Sequence, residues 1–164
     1  MDETAMGMSA EEKSQYLSRI LSKGGKSINE SLCLDLIEGG ADVNARDGID
    51  MPPLMWALMY GRTRICLALI NKGADANTDN GLGDTALMWA AWQGNVEVCK
   101  VLLEKGADVS VQDRGGRTPL MWAEEYRQDA VIQMLQEALV RKTFSDAGAR
   151  GTTRPRKIYR FTLQ

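Results

Sequence analysis

The chain has 164 residues, of which 44% are hydrophobic and 26% charged, with a formal net charge of −2. That is ordinary globular composition, enough for one compact domain or one short repeat array, and it gives no reason for wholesale attraction to nucleic acid or anionic lipid. Histidine is absent, which excludes Ser-His-Asp and Cys-His catalysis and His-ligated metal sites; three cysteines are too few for a disulfide framework, no apolar run approaches the roughly 18 residues of a membrane helix, and acidic Met1-Asp2-Glu3 opens no secretory signal.

Residues 1–8 are expected to be disordered. Ser9-Ala10-Glu11-Glu12 then reads as a capping box, with Ser9 as N-cap and Glu12 at the third helical position. A helix over Ala10–Ser22 follows, with Tyr16, Leu17, Ile20 and Leu21 as its apolar stripe, and Gly24-Gly25 breaks it. Asn29–Glu38 is its partner helix. The pair carries many polar residues, as the wet outer face of a terminal unit requires.

From Gly40 onward the chain repeats itself. Gly-Ala-Asp begins at Gly40, Gly73 and Gly106, and Leu-Met-Trp-Ala begins at Leu54, Leu87 and Leu120. Cys33, Cys66 and Cys99 keep the same step of 33 residues. Such a period marks stacked units that bury one core between neighbours. In the unit Asn80–Gln112, Thr85-Ala86 opens a helix over Leu87–Trp92 and Gly94 ends it. Asn95 caps a second helix, Val96–Lys105, with Val98, Cys99, Val101, Leu102 and Leu103 as its apolar stripe. Gly106 ends that helix, and a polar stretch leads to the next unit. Pro119 suits a first helical turn, and Thr85 and Thr118 sit where a hydroxyl can cap. The three cysteines replace apolar residues inside second helices. Adjacent helices lie about 8–10 Å apart, too far for a disulfide, so buried, unbridged thiols are expected.

Thr118-Pro119-Leu120-Met121-Trp122-Ala123 and Gly94–Leu103 with Gly106-Ala107-Asp108-Val109 resemble the ankyrin repeat, over about Asn29–Val140. The resemblance implies an all-α solenoid of about four units, near residues 9–46, 47–79, 80–112 and 113–143, with long hairpins and a degenerate N-terminal cap. Two departures carry consequences. Asp50 and Pro52 stand where the family prefers Gly and Thr, so an irregular hairpin is expected over Arg46–Met51. Met55, Met88 and Met121 stand where the family has a histidine that ties neighbouring turns, so those polar ties should give way to packing. The last unit also loses its turn glycine at Arg127, and its second helix is expected over Asp129 to about Lys142.

The resemblance implies a non-enzymatic protein-interaction module or adaptor with a concave binding face. Its surface would comprise Arg46, Gly48, Ile49, Met51, Met59 and Tyr60 in the second unit, Asp79, Gly81, Leu82, Asp84, Trp92 and Gln93 in the third, and Gln112, Arg114, Gly115, Arg117, Glu125 and Tyr126 in the fourth. Met, Tyr and Trp on an otherwise polar groove suit interface anchors, or pack on one another. Trp56, Trp89 and Trp122 form a second stripe, a packing ladder between first helices or a stacking ladder for a ligand. Asp75–Gly81 lacks the spacing of a calcium loop, Asn29-Glu30-Ser31 has no secretory context, and Gly24-Gly25-Lys26-Ser27 is not a phosphate loop. No cofactor, metal or small-molecule substrate is expected, and the chain is expected to be an intracellular monomer.

Residues 144–164 read as a basic C-terminal tail. From Ser145 on, Arg150, Arg154, Arg156, Lys157 and Arg160 outweigh Asp146, giving +4 against −6 for the remainder. Gly148, Gly151 and Pro155 argue against a helix. The tail is an electrostatic arm for an acidic protein, nucleic acid or anionic membrane, a lid resting Tyr159 and Phe161 on the array, or a frayed end.

Overall fold

The computed structural model describes residues 7–24 and 28–149, with side chains to residue 146. Residues 1–6, Gly25 and the cations Arg150, Arg154, Arg156, Lys157 and Arg160 lie outside the described residues. Eight helices and no strand are present among the described residues: α1 (Ala10–Lys23), α2 (Glu30–Glu38), α3 (Pro53–Met59), α4 (Thr63–Asn71), α5 (Ala86–Trp92), α6 (Val96–Glu104), α7 (Pro119–Glu125) and α8 (Asp129–Ala149). Consecutive helices pair within each unit. Between units, α1, α3, α5 and α7 pack side by side as one layer, and α2, α4, α6 and α8 as the other.

The caps follow from the sequence. Ser9 Oγ accepts from Glu12 N–H at 3.3 Å while Glu12 Oε2 accepts from Ser9 N–H at 2.7 Å. Asn29 and Asn95 accept from Leu32 and Val98 N–H at 3.0 and 3.1 Å, and Thr118 accepts from Met121 N–H at 3.3 Å. Thr85 departs from this pattern: its Oγ1 is buried without a hydrogen bond. Gly24 sits at φ +57° beneath the Tyr60 ring, where a Cβ would come within 2.2 Å of a ring carbon, so only glycine ends α1 there.

One core threads both layers. Leu17, Leu21, Leu36, Leu54, Ile65, Leu69, Leu87, Val98, Leu102, Val131 and Leu135 are all within 1% of complete burial. Cys33, Cys66 and Cys99 are buried and unbridged among them. Burial pushes the Cys33 thiol up to about 11 and those of Cys66 and Cys99 up to about 12, so they behave as small apolar side chains.

Two expectations are corrected. The hairpin Arg46–Met51 is regular. Asp47 N–H donates to Met51 O at 3.1 Å and Asp50 N–H to Asp47 O at 3.0 Å, matching the bonds Asp113–Arg117 and Gly116–Asp113 in the fourth unit. The departure is absorbed by Asp50 taking φ +64°, the left-handed region that Gly83 and Gly116 occupy at its equivalents. Met55 and Met88 pack in the core, and polar ties between units are carried by other residues. Asn44 bonds Gly73 O at 3.1 Å and Asp75 N–H at 2.8 Å, and Asn77 bonds Gly106 O and Asp108 N–H at the same two distances. Finally, α8 runs seven residues past Lys142 and through Gly148, so the helix includes the first part of the expected tail. Lys142 on α8 reaches Asp108 at 2.6 Å and Ser110 at 2.5 Å, fastening the longer helix to the foot of the last hairpin.

Asp50 and Arg127 (φ +55°) are the non-glycine residues with positive φ among the described residues. Asp50→Gly and Arg127→Gly are each expected to stabilise the array by about 0.5–1 kcal/mol, offset in part by the freedom glycine adds to the unfolded chain. The sites are far apart, so urea-denaturation midpoints of the singles and the double should show additive gains.

Candidate protein-interaction face

The layer of α1, α3, α5 and α7, termed the inner layer, presents Trp56, Trp89 and Trp122 one per unit, and the hairpin before each sets what its indole meets. Asp47 Oδ1 accepts from Ile49 and Met51 N–H at 3.0 Å each, and its Oδ2 accepts from Trp56 Nε1 at 2.8 Å. Asp113 does the same for Gly115 and Arg117 N–H at 2.8 Å each and for Trp122 Nε1 at 3.0 Å, and also accepts from Arg117 Nε at 2.9 Å. These donors hold the Asp113 carboxyl below its ordinary range, the Arg117 N–H first among them. Asn80 is the third-unit equivalent. Its Oδ1 accepts from Leu82 and Asp84 N–H, but its Nδ2 is a donor and goes to Asp84 Oδ2 at 2.9 Å. No acceptor faces Trp89, whose Nε1 is buried without a partner. The bracing Asp–Trp pair was invisible as chemistry in the sequence, although Asp47 and Asp113 each stand nine residues before a tryptophan.

The aromatic side chains form a continuous line. Trp92 meets Tyr126 edge-to-face at 5.7 Å and Trp89 edge-to-face at 5.4 Å; Trp89 lies 6.4 Å from Trp122, and the Arg117 guanidinium lies 4.4 Å over the Trp122 ring. Trp56 stacks on Tyr60 at 6.1 Å in the second unit. Arg117 also reaches Glu125 at 3.5 Å, and attraction from Asp113, Glu125 and Asp84 holds its proton above the ordinary arginine range.

The residues expected at a binding surface therefore separate. Arg46, Ile49, Asp79, Leu82, Asp84, Arg114 and Arg117 lie on the hairpins. Met59, Tyr60, Trp92, Gln93, Glu125 and Tyr126 lie at the far ends of the inner helices, with Arg117 and the tryptophans bridging the two groups. Ile49 is 68% exposed, Leu82 56% and Tyr126 48%, whereas Tyr60, Trp92 and Met59 are half-buried. Met51 is corrected: it is 5% exposed, because Asp47 draws its backbone into the turn and its side chain enters the core. Gln93 is engaged as a tie to Leu58 O, and Gln128 likewise to Trp92 O at 3.0 Å. Arg46 bonds Asp50 and Thr78, and Arg114 bonds Gly81 O at 3.1 Å. Depressions open at both ends of this surface: one of about 1050 Å³ between α1 and the first hairpin, lined by Ser14, Ser18, Arg46, Ile49 and Trp56, and one of about 770 Å³ beside Trp92, Tyr126 and Val96.

Asp108 is the other perturbed carboxylate. The Lys142 hydrogen bond, followed by those from Ser110, lowers its pKa from 3.8 to about 2. A folded-state pKa below the unfolded value contributes stability at neutral pH that is lost as pH falls from about 4 to about 2. The pair is nearly half exposed, so the loss is below about 1 kcal/mol. Urea midpoints measured across that window should fall less steeply in Lys142→Met than in the parent.

Among the described residues no group of three His, Cys, Asp or Glu side chains is placed to hold a metal ion, and no helix is long and apolar enough to cross a membrane. No curated protein matches the chain. A family model for ankyrin repeats in three copies matches residues 24–113, and a second, for ankyrin repeats in many copies, matches residues 93–135. Such repeats generally mediate protein–protein interaction and are typically non-enzymatic. The two-layer stack of helix pairs, the hairpins repeated every 33 residues and the model spanning more than half the sequence make one conclusion: the chain belongs to the ankyrin repeat family.

Proposed function

We propose that this chain is a non-enzymatic adaptor that holds a segment of a partner protein along its inner helices and hairpins. The observation that carries the reading is the unbroken aromatic line Tyr126–Trp92–Trp89–Trp122, left partly open on the inner layer although the core beneath it is closed. Rigid aromatic side chains beside charged groups are the usual anchors of protein interfaces. Tyr126, Trp92, Arg117 and Glu125 would contribute most, with Ile49 and Leu82 gripping from the hairpin tips.

Affinity capture with the intact chain, analysed by mass spectrometry and followed by titration of the captured protein, tests this. Tyr126→Ala and Trp92→Ala are each expected to weaken that binding by about 30-fold, the effect of a hot-spot residue. Lys100→Ala, on an outer helix, should leave it unchanged. The rival reading, contact with nucleic acid or anionic membrane through Arg150, Arg154, Arg156, Lys157 and Arg160, predicts the opposite pattern: binding that falls steeply with salt and ignores Trp92.

A further inference from the structure

Between the third and fourth units the inner face carries an uneven charge. Three carboxylates, of Asp84, Asp113 and Glu125, surround the single guanidinium of Arg117. That guanidinium lies 4.4 Å over the Trp122 ring and shows what this surface holds: a cation on an indole, with carboxylates beside it. One unit earlier the equivalent of Arg117 is Asp84, so the third unit has the aromatic side chains and the acid but no cation at that position. Neighbouring cations are already engaged, Arg46 by Asp50 and Thr78, and Arg114 by Gly81 O.

The missing charge lies further along the same chain. All 22 acidic residues and 15 of the 20 basic ones precede residue 150, while residues 150–164 carry five cations and no acid. The helix that leads to them is fastened at the foot of the last hairpin through Lys142, and continues to Ala149. Fifteen residues span up to about 50 Å when extended, against about 20 Å for two layers of helices spaced 8–10 Å apart. A tethered segment works at an effective concentration on the order of millimolar, so a dissociation constant of about 100 µM would keep the site about nine-tenths filled.

We propose that residues 150–164 occupy this face in cis, seating an arginine at the Trp89 ring between Asp84 and Glu125. The segment competes with any partner for the same face, and a partner that displaces it brings a basic side chain to the same carboxylates. This rests on the reading of the inner face as a binding surface.

The full chain carrying Tyr159→Cys and a bimane label tests the contact. The native thiols are all within 1% of full burial and stay unlabelled, and the four tryptophans, which quench bimane on contact, all lie on α3, α5 and α7. The expected emission is well below that of a labelled peptide of residues 150–164, independent of protein concentration. It should rise toward the peptide's value at about 0.5 M salt, where exposed charges are screened, and in the conservative variant Asp84→Asn/Glu125→Gln. Reversing Arg154 and Arg156 to glutamate should have the same effect without touching the folded array. Emission as bright as the peptide's, or quenching that neither salt nor either variant relieves, overturns the proposal. Quenching that grows with protein concentration also overturns it, and places the segment on a second copy instead. Partner capture that depends on Trp92 while the label stays bright removes the cis contact and leaves the adaptor reading standing; a quenched label with no Trp92-dependent capture does the reverse.

Discussion

Asp113→Ala is expected to lower the thermal midpoint of the array by about 10 °C or more. The carboxylate side chain is 2% exposed and accepts four hydrogen bonds, two closing the hairpin and two from Arg117 Nε and Trp122 Nε1. Alanine leaves all four donors without that partner, at a site where the carboxylate is almost fully enclosed. Asp47→Ala removes three such bonds and no ion pair, so its effect should be smaller; Asn80→Ala, which serves no indole, should be the mildest. Thermal melts by far-ultraviolet circular dichroism give the order directly. Equal effects at the three positions would mean that the tryptophan contact contributes nothing. The third unit also offers a repair. Asn80→Asp with Asp84→Arg rebuilds the fourth unit's arrangement and should raise the midpoint, by giving Trp89 Nε1 an acceptor and the new carboxylate a cation.

Leu87→Ala is expected to cost about 3 kcal/mol, the common loss for a fully enclosed leucine. Leu87 is 1% exposed on α5, which packs against α3 on one side and α7 on the other. A cavity there weakens both interfaces of the central unit at once, in an array whose stability is a sum over neighbours. The same change at Leu54, fully buried, should cost as much. At Leu120, half-buried on α7, about half is expected, because among the described residues no further helix pair packs beyond it and water reaches the site. Urea denaturation of the three variants should show this gradient although the four-residue motif is identical in all three. A flat series would mean that each unit stands alone.

The sequence by itself determined the units. Leucine, cysteine and turn glycine return every 33 positions because each helix pair must bury the same stripe against its neighbours, and that local requirement is written in residue spacing. It also determined the caps at Ser9, Asn95 and Thr118, which act within three residues. The tertiary structure decided what identical residues do. Met55 and Met88 are closed in, and Met121, beyond which no further helix pair packs among the described residues, is 49% exposed. Trp56 and Trp122 are tied to an aspartate while Trp89 is not, because one amide nitrogen in Asn80 donates where a carboxylate would accept. Met51 enters the core although its position marked it as surface, and Asp50 holds a turn that favours glycine. Burial and pairing depend on which side chains lie across the gap between units, and a repeat period records where a residue recurs without recording what it faces.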